Sequence, residues 1–263
     1  LRHLNHRGFT HVGRRRPIGA IGVLLLTVLA PAASAQDQLQ VWADFNLQWI
    51  KSDHLTLGLQ VEPKVLVSKP SGDPGWATVD VTPSVEITRG NWIDVLGEML
   101  IARTKQTDNV DSTEFTPRLG VRFHLLSNLR DVLFKERQPA RRLVVRDLVR
   151  FEWRNLYYST DKPNSSTLRI RDRIELEFPV NRQRVTDDGA IYAMSDAEWF
   201  WTTSNPPNER YASKKRVRAG VGQRFNRAWR VEGLYIWDEA RDSIDAGFTT
   251  SDNVIQVTIR RVW

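Results

Sequence analysis

Arginines and carboxylates spaced two residues apart carry most of the chemistry in this chain. Arg150, Glu152 and Arg154 form one run. Arg169, Arg171, Arg173, Glu175 and Glu177 form a second, Arg216 and Arg218 a third, and Arg118 and Arg122 stand four apart. In an extended strand a spacing of two puts every member of a run on the same face. A guanidinium stays ionised and presents five donors in a fixed fork, which suits bidentate pairing with carboxylate or phosphate. These nine arginines therefore have two uses. They can cross-link a narrow charged interior through acids, or they can form a constriction or binding site for a small anionic solute. Acids are numerous enough to pair most of them, which favours the cross-linked interior.

Nucleophilic catalysis has less to build on. Beyond residue 35 the only histidines are His54 and His124. His124 with Ser127, or with Ser84 and Glu86, makes a triad in composition only, and no Gly-x-Ser-x-Gly elbow is present. Two histidines seventy residues apart, with no cysteine, give no metal-ligand cluster of recognised spacing. The loop Asp108-Asn109-Val110-Asp111 lacks the glycine and closing glutamate of a calcium loop and reads as solvated; Asp187-Asp188-Gly189 reads as a turn. No catalytic residue, metal site or cofactor is assigned.

The elements that position the arginines are strands. Leu39, Val41, Ala43, Phe45, Leu47 and Trp49 alternate with Gln40, Trp42, Asp44, Asn46 and Gln48. The same alternation runs through residues 55–65, 77–87, 92–104, 113–126, 142–158, 167–180, 190–202, 214–227, 229–240 and 252–263. Segments of roughly 12 to 17 residues exceed the five or six of a globular strand and suit a tilted membrane strand of about nine to eleven residues plus its ends. On that phasing the apolar face meets lipid and the charged face lines a lumen. Early strands supply mainly acids (Asp44, Glu62, Asp80, Glu86, Asp94, Glu98) and later ones the arginines. Connections alternate between tight turns and longer polar loops, as in outer-membrane barrels. Two linkers, 127–141 and 181–189, are too long for the tight class. Eleven segments conflict with the usual even strand number. Placing a twelfth strand at Asp131–Arg137 resolves the parity, so about twelve strands are expected, with ten as the alternative. Pro63, Pro83 and Pro117 fall in strand phase, where bulges or strand ends are expected. Asp147 and Asp172 fall on the lipid face, which points to strand ends or a register error there.

Residues 1–35 read as a cleaved signal peptide. Arg2, Arg7, Arg14, Arg15 and Arg16 precede an apolar stretch from Ile18 to Ala30 and the small-residue site Ala33-Ser34-Ala35. Residues 36–263 then form a single barrel domain. The chain has 38 basic and 31 acidic residues, and removing the segment leaves 33 against 31, so nucleic-acid binding loses its support. Trp263 ends the final alternating segment and is expected to serve as the signal to the barrel-assembly machinery.

The stretches Thr116-Pro117-Arg118-Leu119-Gly120-Val121, Arg150-Phe151-Glu152-Trp153-Arg154, Leu168-Arg169-Ile170-Arg171-Asp172-Arg173 and Arg216-Val217-Arg218-Ala219-Gly220-Val221-Gly222 resemble uncharacterised bacterial outer-membrane barrels grouped as a domain of unknown function of the 2490 type. The resemblance implies a barrel of ten to twelve strands and transfers no catalytic residue. The expectation is an all-β antiparallel transmembrane barrel in the outer membrane of a Gram-negative bacterium, in contact with outer-membrane lipid. Its expected function is that of a structural barrel or narrow passive channel. The alternatives are a lipid-modifying hydrolase or acyltransferase and a soluble periplasmic barrel or sandwich binding protein.

Overall fold

The computed structural model describes residues 38–69, 75–107, 110–125, 143–161, 163–202, 213–240 and 250–263. The expected signal segment, Ser127 and Asp131–Arg137 lie outside the described residues. Eleven strands follow in order: β1 (Gln38–Ser52), β2 (Leu55–Ser68), β3 (Trp76–Arg89), β4 (Ile93–Gln106), β5 (Ser112–His124), β6 (Val144–Tyr158), β7 (Ser165–Pro179), β8 (Ile191–Thr202), β9 (Ser213–Arg224), β10 (Trp229–Ala240) and β11 (Thr250–Val262). Each pairs with its sequence neighbour, and β1 pairs with β11, so the sheet is a closed barrel without edges.

The expected twelfth strand is not a stave between β5 and β6. Those two strands pair directly from Ser112↔Tyr158 to His124↔Arg146. Eleven up-and-down strands leave β1 and β11 running in the same direction. The closing pair is therefore parallel, in register from Gln38↔Asp252 to Gln48↔Val262, while every other pair is antiparallel. Slanted parallel hydrogen bonds are slightly weaker per residue than antiparallel ones. Side chains reinforce this seam from within. Gln40 Nε2 donates to Asp252 Oδ2 at 2.8 Å, and Thr258 Oγ1 donates to Asp44 Oδ2 at 3.3 Å.

Eleven strands also keep the connections sorted. The strand ends that flank 69–75, 107–111, 159–164, 203–212 and 241–249 share one rim, here the loop rim. The strand ends that flank 53–54, 90–92, 125–143, 180–190 and 225–228 share the other, the turn rim. One of the two long linkers on the turn rim is described. Segment 180–190 satisfies its own backbone: Ile191 N donates to Asn181 Oδ1 at 2.6 Å, and Arg184 N to Asp187 Oδ2 at 3.1 Å. Gly189 supplies the turn's φ of 74°, and the carbonyl of buried Val185 accepts from Arg224 Nε at 3.2 Å.

The three in-phase prolines are accommodated without the expected bulges. Pairing between β1 and β2 skips from Trp42↔Lys64 to Phe45↔Val61 around Pro63. Pairing between β3 and β4 skips from Val81↔Ile101 to Ser84↔Glu98 around Pro83, and that between β5 and β6 from Phe115↔Asn155 to Arg118↔Glu152 around Pro117. Register is the same on both sides of each gap. Each ring removes a donor from one of its two ladders while the strand stays paired on the other.

Alternation resolves into two faces. Outward stand Val41, Phe45, Val79, Val85, Ile101, Leu119, Phe151, Val217 and Val257, all exposed. Outward aromatics gather near both ends, with Phe115, Tyr157, Trp199 and Trp201 towards the loop rim and Phe178, Phe225, Trp229 and Trp263 towards the turn rim. Inward stand the charged residues. Asp147 and Asp172 do face outward, but neither marks a strand end or a register error: Arg146, Leu148, Arg171 and Arg173 on either side keep their inward phase.

Candidate functional site: the charged lumen

All nine of the arginines picked out from the spacing project into the lumen, and each meets a carboxylate. Glu152, fully buried, is the hub. Arg169 approaches it at 2.6 Å, Arg171 at 3.3 Å, Arg118 at 3.4 Å and Arg150 at 4.0 Å. A second buried carboxylate, Glu198, holds Arg171 in direct contact, with Arg218 at 3.5 Å and Arg216 at 3.6 Å. Arg171 thus bridges the two acids. Its neighbours extend the chain of alternating charge from Glu98 on β4, 3.4 Å from Arg150, to Asp238 on β10, 2.6 Å from Arg216. Neighbouring inward positions across strands place these ends together, and burial strengthens each contact by excluding water.

The remaining arginines form satellites. Arg154 grips Glu114 with two nitrogens at 2.8 and 2.9 Å, a fork that a lysine could not supply. Towards the turn rim, Arg122 reaches Glu86 at 2.9 Å and Asp94 at 3.3 Å, and Arg173 and Arg146 share Glu175. Arg218 also holds Asp196 at 2.7 Å.

Aromatic rings back the cations, a feature not drawn from the arginine spacing. Phe200 lies under Arg169 at 5.0 Å, Arg171 at 5.2 Å and Arg216 at 5.5 Å; Trp42 takes Lys64 at 4.5 Å and Arg216 at 5.0 Å. Strand parity was the available signal: Phe200 sits between outward Trp199 and Trp201, and Trp42 between Val41 and Ala43. Tyr192 was also missed. Its hydroxyl donates to Glu232 Oε1 at 2.6 Å, and its ring occupies the space over Gly222 that a Cβ would need.

The lumen encloses two cavities of about 410 and 430 Å³. Trp42, Lys64, Asp80, Leu100, Arg118, Arg171 and Arg216 line both and so form a waist between them. Glu152 and Glu198 line neither cavity; they sit behind the arginines whose faces do. The waist therefore presents cations held in place from behind.

The histidines do not assemble a triad among the described residues. His54 lies in the exposed turn after β1. His124 Nε2 is 2.7 Å from Asp94 Oδ2, while Glu86 is engaged by Arg122. Asp111 closes its own loop, accepting from Gln106 N at 3.1 Å and pairing with Arg103 at 3.3 Å. Among the described residues no group of three or more histidines and acids is arranged to hold a metal ion.

No curated protein matches the chain. Residues 76–245 match the sequence profile of a family described as a protein of unknown function (DUF2490), a span that takes in β3 through β10 and with them the hub acids and all nine arginines. On the strength of that match, which covers well over half of its length, the chain belongs to the DUF2490 family.

Proposed function

We propose that this chain, after removal of residues 1–35 as an export signal, is inserted by the barrel-assembly machinery into the outer membrane of a Gram-negative bacterium and forms a narrow passive channel. The observation that carries the reading is the inversion of its two faces. Apolar side chains cover the outside, and two polar cavities follow one another along a charged interior. A water-soluble barrel would bury the apolar face instead. Aromatic side chains near both rims suit the two lipid–water interfaces.

Planar-bilayer recording with the purified chain is the test. Small discrete conductance steps are expected, together with co-fractionation with outer membranes and heat-modifiable migration on gels. Recovery as a soluble periplasmic monomer would end the membrane reading.

A second reading, a purely structural barrel, is favoured by the unbroken chain of ion pairs from Glu98 to Asp238. Silence in the bilayer from a correctly folded, heat-modifiable barrel would select it.

A further inference from the structure

We infer that the lumen is built for zwitterionic solutes of about amino-acid or dipeptide size, whose two ends are oriented by a field running across the barrel. This rests on the channel reading above and names what the channel passes.

The supporting observation is how charge is divided around the turn-rim cavity. From β1–β4 its wall receives six acids, Asp44, Glu62, Asp80, Glu86, Asp94 and Glu98, against the single cation Lys64. From β5–β11 it receives ten arginines, among them Arg118, Arg150, Arg171 and Arg218, against four acids. The two sets are nearly equal in total charge, so the cavity has little net preference for either sign of ion. They are separated in space, so it has a strong direction. Local pairs cancel part of this field where β4 meets β5 and β6, but the arcs meet across the interior, where Arg216 on β9 lies 5.0 Å over the Trp42 ring on β1 and lines the same cavity as Glu62.

An anion entering this space is drawn to one wall and repelled by the other, and a cation likewise. A solute carrying an ammonium and a carboxylate at opposite ends satisfies both walls in one orientation and brings no net charge into a narrow, low-dielectric passage. Where the acidic and basic arcs meet at the β1–β11 seam, two diagonal neighbours on one patch of wall, Asp44 opposite Thr258 and Arg260 opposite Asn46, are suited to holding the two ends of a small zwitterion between them. Asp44 accepts hydrogen bonds from Gln60 at 3.0 Å and Thr258 at 3.3 Å and has no cationic partner among the described residues. Arg260 lines the same cavity and has no ion-pair partner among the described residues. A volume of about 430 Å³ is at the lower end of the range of small-molecule sites.

Liposome swelling with the purified full chain tests this, using glycylglycine, its N-acetyl anion, its C-terminal amide cation and uncharged arabinose. Glycylglycine is expected to enter roughly tenfold faster than the other three, the low end of the scale on which focused fields raise on-rates in a cleft. Asp44→Asn should reduce that advantage and favour the anion, and Arg260→Gln should reduce it and favour the amide. Both changes spare the ion-pair chain, so heat-modifiable folding should persist. Entry in order of size regardless of charge, or fastest entry by either ion, overturns the inference and leaves the channel standing. Entry of none of the four removes the channel reading itself.

Discussion

Trp49 and Trp263 stack with their ring centroids 5.1 Å apart and their planes 5° from parallel, across the one parallel junction of the barrel. The backbone continues that junction past β11: Ile50 N donates to Trp263 O at 3.0 Å, and Trp263 N to Gln48 O at 2.9 Å. Arg261 lies over the same indole at 4.3 Å and over Trp229 at 4.9 Å. The aromatic pair therefore fastens the turn-rim end of the seam.

Removing either indole should loosen that end. Trp49→Ala and Trp263→Lys are each expected to lower the temperature of the heat-modifiable gel transition, since a stacked pair contributes about 0.5–1.5 kcal/mol beyond its buried area. Trp263→Lys should also reduce the amount inserted in cells, whereas Trp49→Ala should change only the melting temperature. Equal insertion for both would remove any assembly role from Trp263.

The hub acid should matter far more than a peripheral one. Glu152→Gln leaves four guanidiniums around a neutral amide, and breaking a buried pair of this kind costs about 3–5 kcal/mol. Glu239→Gln removes a partner of the half-exposed Lys215 and should cost less than about 1 kcal/mol. Urea unfolding of the two variants in one detergent, with matched slopes, makes the comparison.

Asp147 and Asp172 offer a test of what surrounds the barrel. They face outward within strands, so lipid around them would make them unfavourable. Replacing both with leucine should then raise the urea midpoint, most clearly in bilayers, because even near an interface a lipid-facing charge costs roughly 0–1 kcal/mol and more towards the midplane. A lower midpoint, accompanied by aggregation in water, would place this face in solvent.

Gly222→Ala should displace a neighbour. The added Cβ would lie 2.3 Å from the Tyr192 ring. The ring must move and give up its bond to Glu232, with an expected loss of about 1–3 kcal/mol. The double variant with Tyr192→Leu should recover part of it.

Much of this was legible beforehand, for physical reasons. Period-two alternation survives in every strand because a lumen and an outer surface must both be served, so the boundaries of β1 to β11 fall within a few residues of those read from sequence. The rule of even parity predicts twelve strands, whereas the alternating segments number eleven, and Gln38–Gln48 pairs in parallel where the rule allows none. The arginines were visible as a set, but their partners were not. Which carboxylate becomes the hub depends on registers such as Glu152↔Arg169 and Arg118↔Glu152, and a register is a relation between strands that composition does not carry. Phe200 and Trp42 fall on the inward face by the same parity, but alternation does not say which cations their rings will meet.

An odd number of staves also decides addresses. Because β1 and β11 run in the same direction, Gln38 stands at the loop rim, whereas Trp263 lies at the opposite rim. An even barrel would deliver both to a single face. Epitopes joined just ahead of Gln38 and just after Trp263 would therefore be separated by the full height of the wall and, in a bilayer, would report to opposite compartments.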